Sequence, residues 1–201
     1  DRWQAAEVVA DVWQLDLPRD VPPGDYSLRL TLYDSADSQA VGSVELGQVR
    51  VVDRRRQFER PPMQHQLDVH LGDAIRLAGY DLFQEPLTGE ARAVIRLYWQ
   101  ALAAIPADYT VFVQVIGPDG QLVGQHDSIP AGNVPTTTWH AGEIITDQHV
   151  VDFETALGGE YRLIVGMYDS ISGVRLPIAN AGGDTIGDFW VVHTFAVTAE
   201  R

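Results

Sequence analysis

Residues 91–101 read ARAVIRLYWQA. In an extended chain, successive side chains point to opposite faces. Ala93, Ile95, Leu97 and Trp99 therefore share one face, and Arg92, Arg96, Tyr98 and Gln100 share the other. Alternation without a helical period predicts a strand with one face in a core, and places Trp99 in that core rather than on a ligand platform. Further along, Tyr109, Val111, Val113 and Val115 form a second inward face. The same criteria predict strands at 66–71, 74–82, 91–101, 109–117, 121–126, 144–153, 160–168 and 190–197. Gly117-Pro118-Asp119-Gly120 is a hairpin turn: Pro presets φ, and Gly takes the position that needs a positive φ. No stretch shows a sustained, capped helical period. Short strands at this spacing predict an all-β protein, an antiparallel Ig-like or jelly-roll-like β-sandwich.

The sequence also repeats. WQAAEVVADVWQLDL (3–17) matches WHAGEIITDQHVVDF (139–153), with Trp3 on Trp139, Glu7 on Glu143 and Asp11 on Asp147. PPGDYSLRLTLYD (22–34) matches LGGEYRLIVGMYD (157–169), and LGQVRV (46–51) matches VHTFAV (192–197). Residues 64–138 have no counterpart before Trp3. Residues 1–53 thus correspond to the C-terminal half of a first sandwich, and 64–201 to a complete one. Residues 54–63, RRRQFERPPM, carry Arg54, Arg55, Arg56 and Arg60 against Glu59, then Pro61-Pro62, and no alternation. They read as a basic, solvated linker that pairs with the acidic domains on either side. A half-sandwich exposes strand edges and an apolar face, so residues 1–53 are expected to pack on the complete copy or on another chain. Strand exchange would make the protein a homo-oligomer through this incomplete repeat.

Composition narrows the function. The chain has 201 residues with 45% apolar and 21% charged side chains, enough apolar content for a packed core. Twenty-eight acidic against 14 basic residues give a net charge of −14, which disfavours nucleic acid and anionic membrane surfaces. There is no cysteine, and so no disulfide, thiolate metal site or Cys nucleophile. No apolar run approaches the roughly 20 residues that span a bilayer. The chain opens Asp1-Arg2-Trp3 without an initiator Met, which predicts a fragment or processed product.

No nucleophile elbow, phosphate loop or HExxH motif is present. Glu143 and Asp147 would lie about 13 Å apart on one strand face, too far for an acid–base dyad. Their repetition as Glu7 and Asp11 points to the fold, through loop hydrogen bonds after Trp139. The six His residues have no metal spacing and read as scattered over the surface. No cofactor is expected, with calcium as the open alternative: Asp169, Asp184 and Asp188 are the candidate ligands, with Asp34 and Asp37 in the first copy. Gly-x-Tyr-x-Leu occurs twice, around Tyr26 and Tyr161. Both tyrosines are expected to form corners, with the ring packed and the hydroxyl bonded to upstream backbone. For a sugar, which stacks on exposed rings, the candidates are Trp190, Tyr80, Tyr98 and Trp139, although the twin Trp3 favours an anchor role for Trp139.

YWQAL (98–102), DYTVFVQVIGPDGQLVGQHDSIP (108–130), PTTTWHAGEIITDQHVVDF and GGEYRLIVGMYDSISGVRLP (158–177) form an ordered string of motifs. This string resembles a β-sandwich module at the C-terminal, extracytoplasmic end of polytopic membrane proteins of Chloroflexi-type bacteria. Those proteins are similar to family-39 (mannosyltransferase-like) glycosyltransferases. The resemblance covers about residues 66–198. It implies an extracytoplasmic domain tethered to the membrane through the parent's own membrane domain, with the parent's catalytic carboxylates elsewhere. The expected function is a non-catalytic appendage that positions an acceptor, binds glycan or polysaccharide, or mediates assembly. An independent carbohydrate-binding module and a purely structural Ig-like spacer are the alternatives.

Overall fold

The computed structural model describes residues 21–84, 92–154, 158–180 and 182–197, with isolated positions between 8 and 17. The chain forms two compact units, residues 1–55 and 56–201. No helix among the described residues is long and apolar enough to cross a membrane.

In the first unit, β1 (Gly24–Tyr33) and β2 (Ala40–Val51) pair antiparallel. Asp34 closes the connection. Its amide donates to the Gln39 carbonyl (2.8 Å), and its carboxylate accepts from the Ala36 amide (2.7 Å). Leu30 and Leu32 are exposed, whereas the residues they match in the repeat, Val165 and Met167, are fully buried. Trp3, Glu7 and Asp11 lie outside the described residues.

The second unit is an antiparallel β-sandwich. Its strands are β3 (His65–Leu71), β4 (Ile75–Gln84), β5 (Arg92–Ala101), β6 (Tyr109–Ile116), β7 (Leu122–Ser128), β8 (Ile144–Asp152), β9 (Gly159–Asp169), β10 (Ile178–Ala179), β11 (Thr185–Gly187) and β12 (Trp190–Val197). One sheet has the order β11-β10-β3-β4-β5-β8 and the other β12-β9-β6-β7. The longer strands lie where alternation predicts them. β10 and β11, of two and three residues, fall in a turn-rich stretch too short to show any period. The β6–β7 turn closes as expected: Gly117 N–H donates to the Gln121 carbonyl (2.8 Å), and Gly120 has φ +80°.

Ala93, Ile95, Leu97 and Trp99 of β5 face Val111, Val113 and Val115 of β6 in one core, all without solvent exposure. Burying side chains of this kind is worth about 1.5–3 kcal/mol each. Part of the outer face of the four-stranded sheet is covered too. Phe112 points away from this core yet is fully buried, because its ring lies on Gly166 of β9. The Arg175 guanidinium stacks on that ring, 4.2 Å from its centroid.

The stretch 54–63 is not a solvated linker throughout. From Arg56 onward it lies along the outer face of the six-stranded sheet as part of the second unit. Ile144 N–H donates to the Gln57 carbonyl (2.7 Å), Arg60 reaches Gln100 (3.4 Å), and Gln64 N–H donates to the Asp81 carboxylate (2.7 Å). Met63 packs on Gly79, where an added Cβ would stand 2.6 Å from its sulfur. Arg56 also has a specific task. It donates to the Glu143 carboxylate (3.0 Å) and the Thr138 carbonyl (2.9 Å). Glu143 has no solvent exposure, and a buried carboxylate needs such a partner.

Candidate functional site

Three of the four candidate sugar platforms lie inside the fold. Tyr80 is buried, stacks on His65 and donates its hydroxyl to the Val192 carbonyl (2.6 Å), tying β4 to the opposite sheet. Tyr98 is buried and donates to Asp81 (2.6 Å). Burial raises both phenols above their ordinary value, and for Tyr98 the Asp81 bond adds to it. Trp139 is buried, with its indole N–H on the Val134 carbonyl (3.0 Å). None of these three rings offers a free face to a sugar, because each is buried and spends its polar atom on the fold. Trp190 is half-buried and packs against the core.

The calcium candidates belong to separate turns. Asp169 accepts from the amides of Ile171 (3.1 Å) and Ser172 (2.7 Å) and from the Ser172 hydroxyl (2.8 Å). The bonds from Ser172 hold its carboxyl below the usual aspartate value. Asp34, its match in the repeat, accepts from Ala36 in the same way, so the pair marks an Asp-initiated turn in both copies. Asp184 neighbours Asn180 (3.5 Å) and Asp188 neighbours Arg175 (3.9 Å). Asp37 accepts from the Gln39 amide (2.9 Å). Among the described residues, no three His, Cys, Asp or Glu side chains are gathered to hold a metal ion.

At Tyr26 the hydroxyl bond of the expected corner is present, to the Pro22 carbonyl four residues upstream (2.8 Å), but the ring is exposed rather than packed. The Tyr161 ring is buried between Phe153 and Phe195, and Leu157, the equivalent upstream residue, lies outside the described residues.

The sandwich does assemble one polar constellation that alternation hides. On β8, Asp147 and His149 occupy inward positions between Ile145 and Val151. Asp147 is 1% exposed and His149 not at all. The Asp147 carboxylate takes three donors: the Trp99 indole N–H (3.2 Å), the Ala131 amide (2.9 Å) and His149 Nε2 (2.8 Å). Ala131 stands in the left-handed region at φ +51°, which this bond helps to hold. His149 Nδ1 then meets His126 Nδ1 of β7 at 2.8 Å. The donor inventory orders these protons. Asp147 only accepts, so His149 donates from Nε2 and accepts at Nδ1. His126 therefore donates from Nδ1, and its Nε2 keeps a lone pair. Two of the six histidines are thus organised rather than scattered. The visible signal was a pair of polar residues at the inward positions of an otherwise apolar strand face. Glu143 does not meet Asp147; as the repeat suggests, it closes the loop after Trp139 by accepting from the His140 amide (2.9 Å).

One cleft opens beside the β3–β4 turn. Its volume is about 310 Å³, at the lower end of small-molecule sites. Pro106, Leu176 and Pro177 supply apolar surface, with Asp73 and Tyr109 alongside. Among the described residues, neither the Asp73 carboxylate nor the Tyr109 hydroxyl has a hydrogen-bond partner.

No protein-family model matches the sequence, and no curated protein matches it. Among solved structures, the chain is similar to the C-terminal domain of Wzt, with a TM-score of 0.46 and 14% identity over 71% of this chain and 84% of that one. It is also similar to a β-glucuronidase from glycoside hydrolase family 2, with a TM-score of 0.38 and 14% identity over 51% of this chain and 11% of that one.

Proposed function

We propose that this chain is a non-catalytic β-sandwich domain that binds or positions glycan, at the extracytoplasmic end of a larger membrane glycosyltransferase-like protein. The observation that carries the glycan reading is the cleft. A pyranose ring has an apolar C–H face and a rim of hydroxyls. Pro106, Leu176 and Pro177 match the first, and the unpartnered Asp73 carboxylate and Tyr109 hydroxyl match the second. The non-catalytic reading is supported by the buried carboxylates: Asp81, Glu143 and Asp147 are each engaged by structural donors. The membrane-protein context is supported by the motif string over residues 98–177. A structural spacer is the second reading, favoured by the sequence match of β1 and β2 with β9 and β12.

Titration calorimetry of the full chain against a panel of neutral and acidic oligosaccharides separates the two. The expected result is binding that either Tyr109→Ala or Asp73→Asn weakens about tenfold, the scale of one lost hydrogen bond. Absence of binding across the panel, or binding that neither substitution changes, removes the cleft reading and leaves the spacer.

A further inference from the structure

β7 is an edge strand of one sheet and β8 an edge strand of the other, and the two meet along one side of the sandwich. The seam is tight. A Cβ on Gly124 would stand 2.5 Å from the Asp152 carbonyl and 2.9 Å from Phe153 Cα. Among the described residues, two hydrogen bonds cross it: Glu154 N–H to the Val123 carbonyl (3.1 Å), just beyond the end of β8, and His126 to His149 (2.8 Å). The second is the one that protons can change.

With both rings neutral, His126 Nδ1–H donates to His149 Nδ1, and His149 Nε2–H donates to Asp147. One added proton has an obvious place, the lone pair on His126 Nε2. It breaks no hydrogen bond in the chain, and the Asp147 carboxylate lies two bonds away to offset the charge. A second proton has only His149 Nδ1 to occupy. Two N–H groups would then face each other across 2.8 Å, each on a cationic ring. The surroundings offer no escape. β5 presents the neutral Trp99 indole, and the 130–132 turn presents a backbone amide and no charged side chain. β6 places Val113 opposite His126. On β7, Asp127 alternates to the other face, opposite Phe112. On β8, Asp152 points outward and pairs with Arg92; Glu143 before it pairs with Arg56, and Glu154 after it is exposed.

We infer that the Asp147–His149–His126 chain is an acid-sensitive latch on the β7–β8 seam, which holds through the first added proton and releases on the second. Acidification therefore frees one edge of the sandwich while both sheets stay folded.

The test is a pH series from 8 downward on the full chain with ¹⁵N-labelled histidine, read by ring-nitrogen NMR and by amide exchange corrected for its intrinsic pH dependence. At pH 8 the proton should sit on Nε2 of His149 and Nδ1 of His126. The first uptake should appear at His126 Nε2 with Glu154 amide protection unchanged. The second should coincide with a loss of at least about tenfold in that protection, the scale of one hydrogen bond, while β5 and β9 amides stay protected. His126→Asn should fold normally and abolish the release. Its amide donates to a neutral His149 and, flipped, accepts from a charged one. Opposite tautomers at pH 8 would overturn the inference. So would double protonation with the seam intact, loss of protection throughout the unit at the same step, or an unchanged acid release in H126N.

Discussion

Replacing Asp147 by alanine is expected to destabilise the second unit by about 2–4 kcal/mol. The carboxylate is 1% exposed and serves Trp99 Nε1, the Ala131 amide and His149 Nε2. Its removal strands two buried donors, on Trp99 and His149, and the amide of the exposed Ala131; each unsatisfied buried donor costs about 1–3 kcal/mol. Two effects keep the total near the lower end of that sum. A buried negative charge is removed, which recovers its desolvation cost. His149 can also move its proton to Nδ1 and donate to His126 instead. Asp147→Asn separates shape from charge. The amide keeps one acceptor, and its NH₂ can donate to His149 Nε2 once the His chain reverses its tautomers. Trp99 then remains the single mismatched donor, for a loss of about 1–2 kcal/mol. Urea unfolding of the full chain, followed by tryptophan fluorescence, measures both variants. A loss below about 1 kcal/mol for Asp147→Ala would refute the role of Asp147 as a hub, and equal losses for the two variants would refute the tautomer reversal.

Two further outcomes follow from local geometry. Gly166→Ala places a Cβ within 2.6 Å of Phe112 Cε1 and closer still to Cζ, so it should cost about 1–3 kcal/mol, and Phe112→Leu in the same chain should recover part of it; a neutral Gly166→Ala in urea unfolding would count against the ring lying on β9. Asp169 has a carboxyl held below the ordinary value of 3.8 in the folded chain, so its turn is supported above that value and loses support as pH falls through the lower folded value. A carboxyl ¹³C titration with a midpoint at or above 3.8 would contradict the hydrogen bonds from Ser172 and Ile171.

The sequence by itself determined the longer strands of the second unit, the faces of β5 and β6, the hairpin turn at Gly117–Gly120 and the upstream hydroxyl bond of Tyr26. Each depends on neighbours two to four residues away, where alternation and turn chemistry act. Only the tertiary structure decided the rest. Tyr80, Tyr98 and Trp139 became interior anchors because the partners of their polar atoms, Val192, Asp81 and Val134, are chosen by how strands and loops close. The basic stretch became a covering segment from Arg56 because Glu143, 87 residues away, is buried and requires a cation. Asp147, His149 and His126 became one chain because edge strands of two different sheets meet. Alternation says which side of a strand a residue occupies; which strand of the other sheet faces it is a property of the closed sandwich.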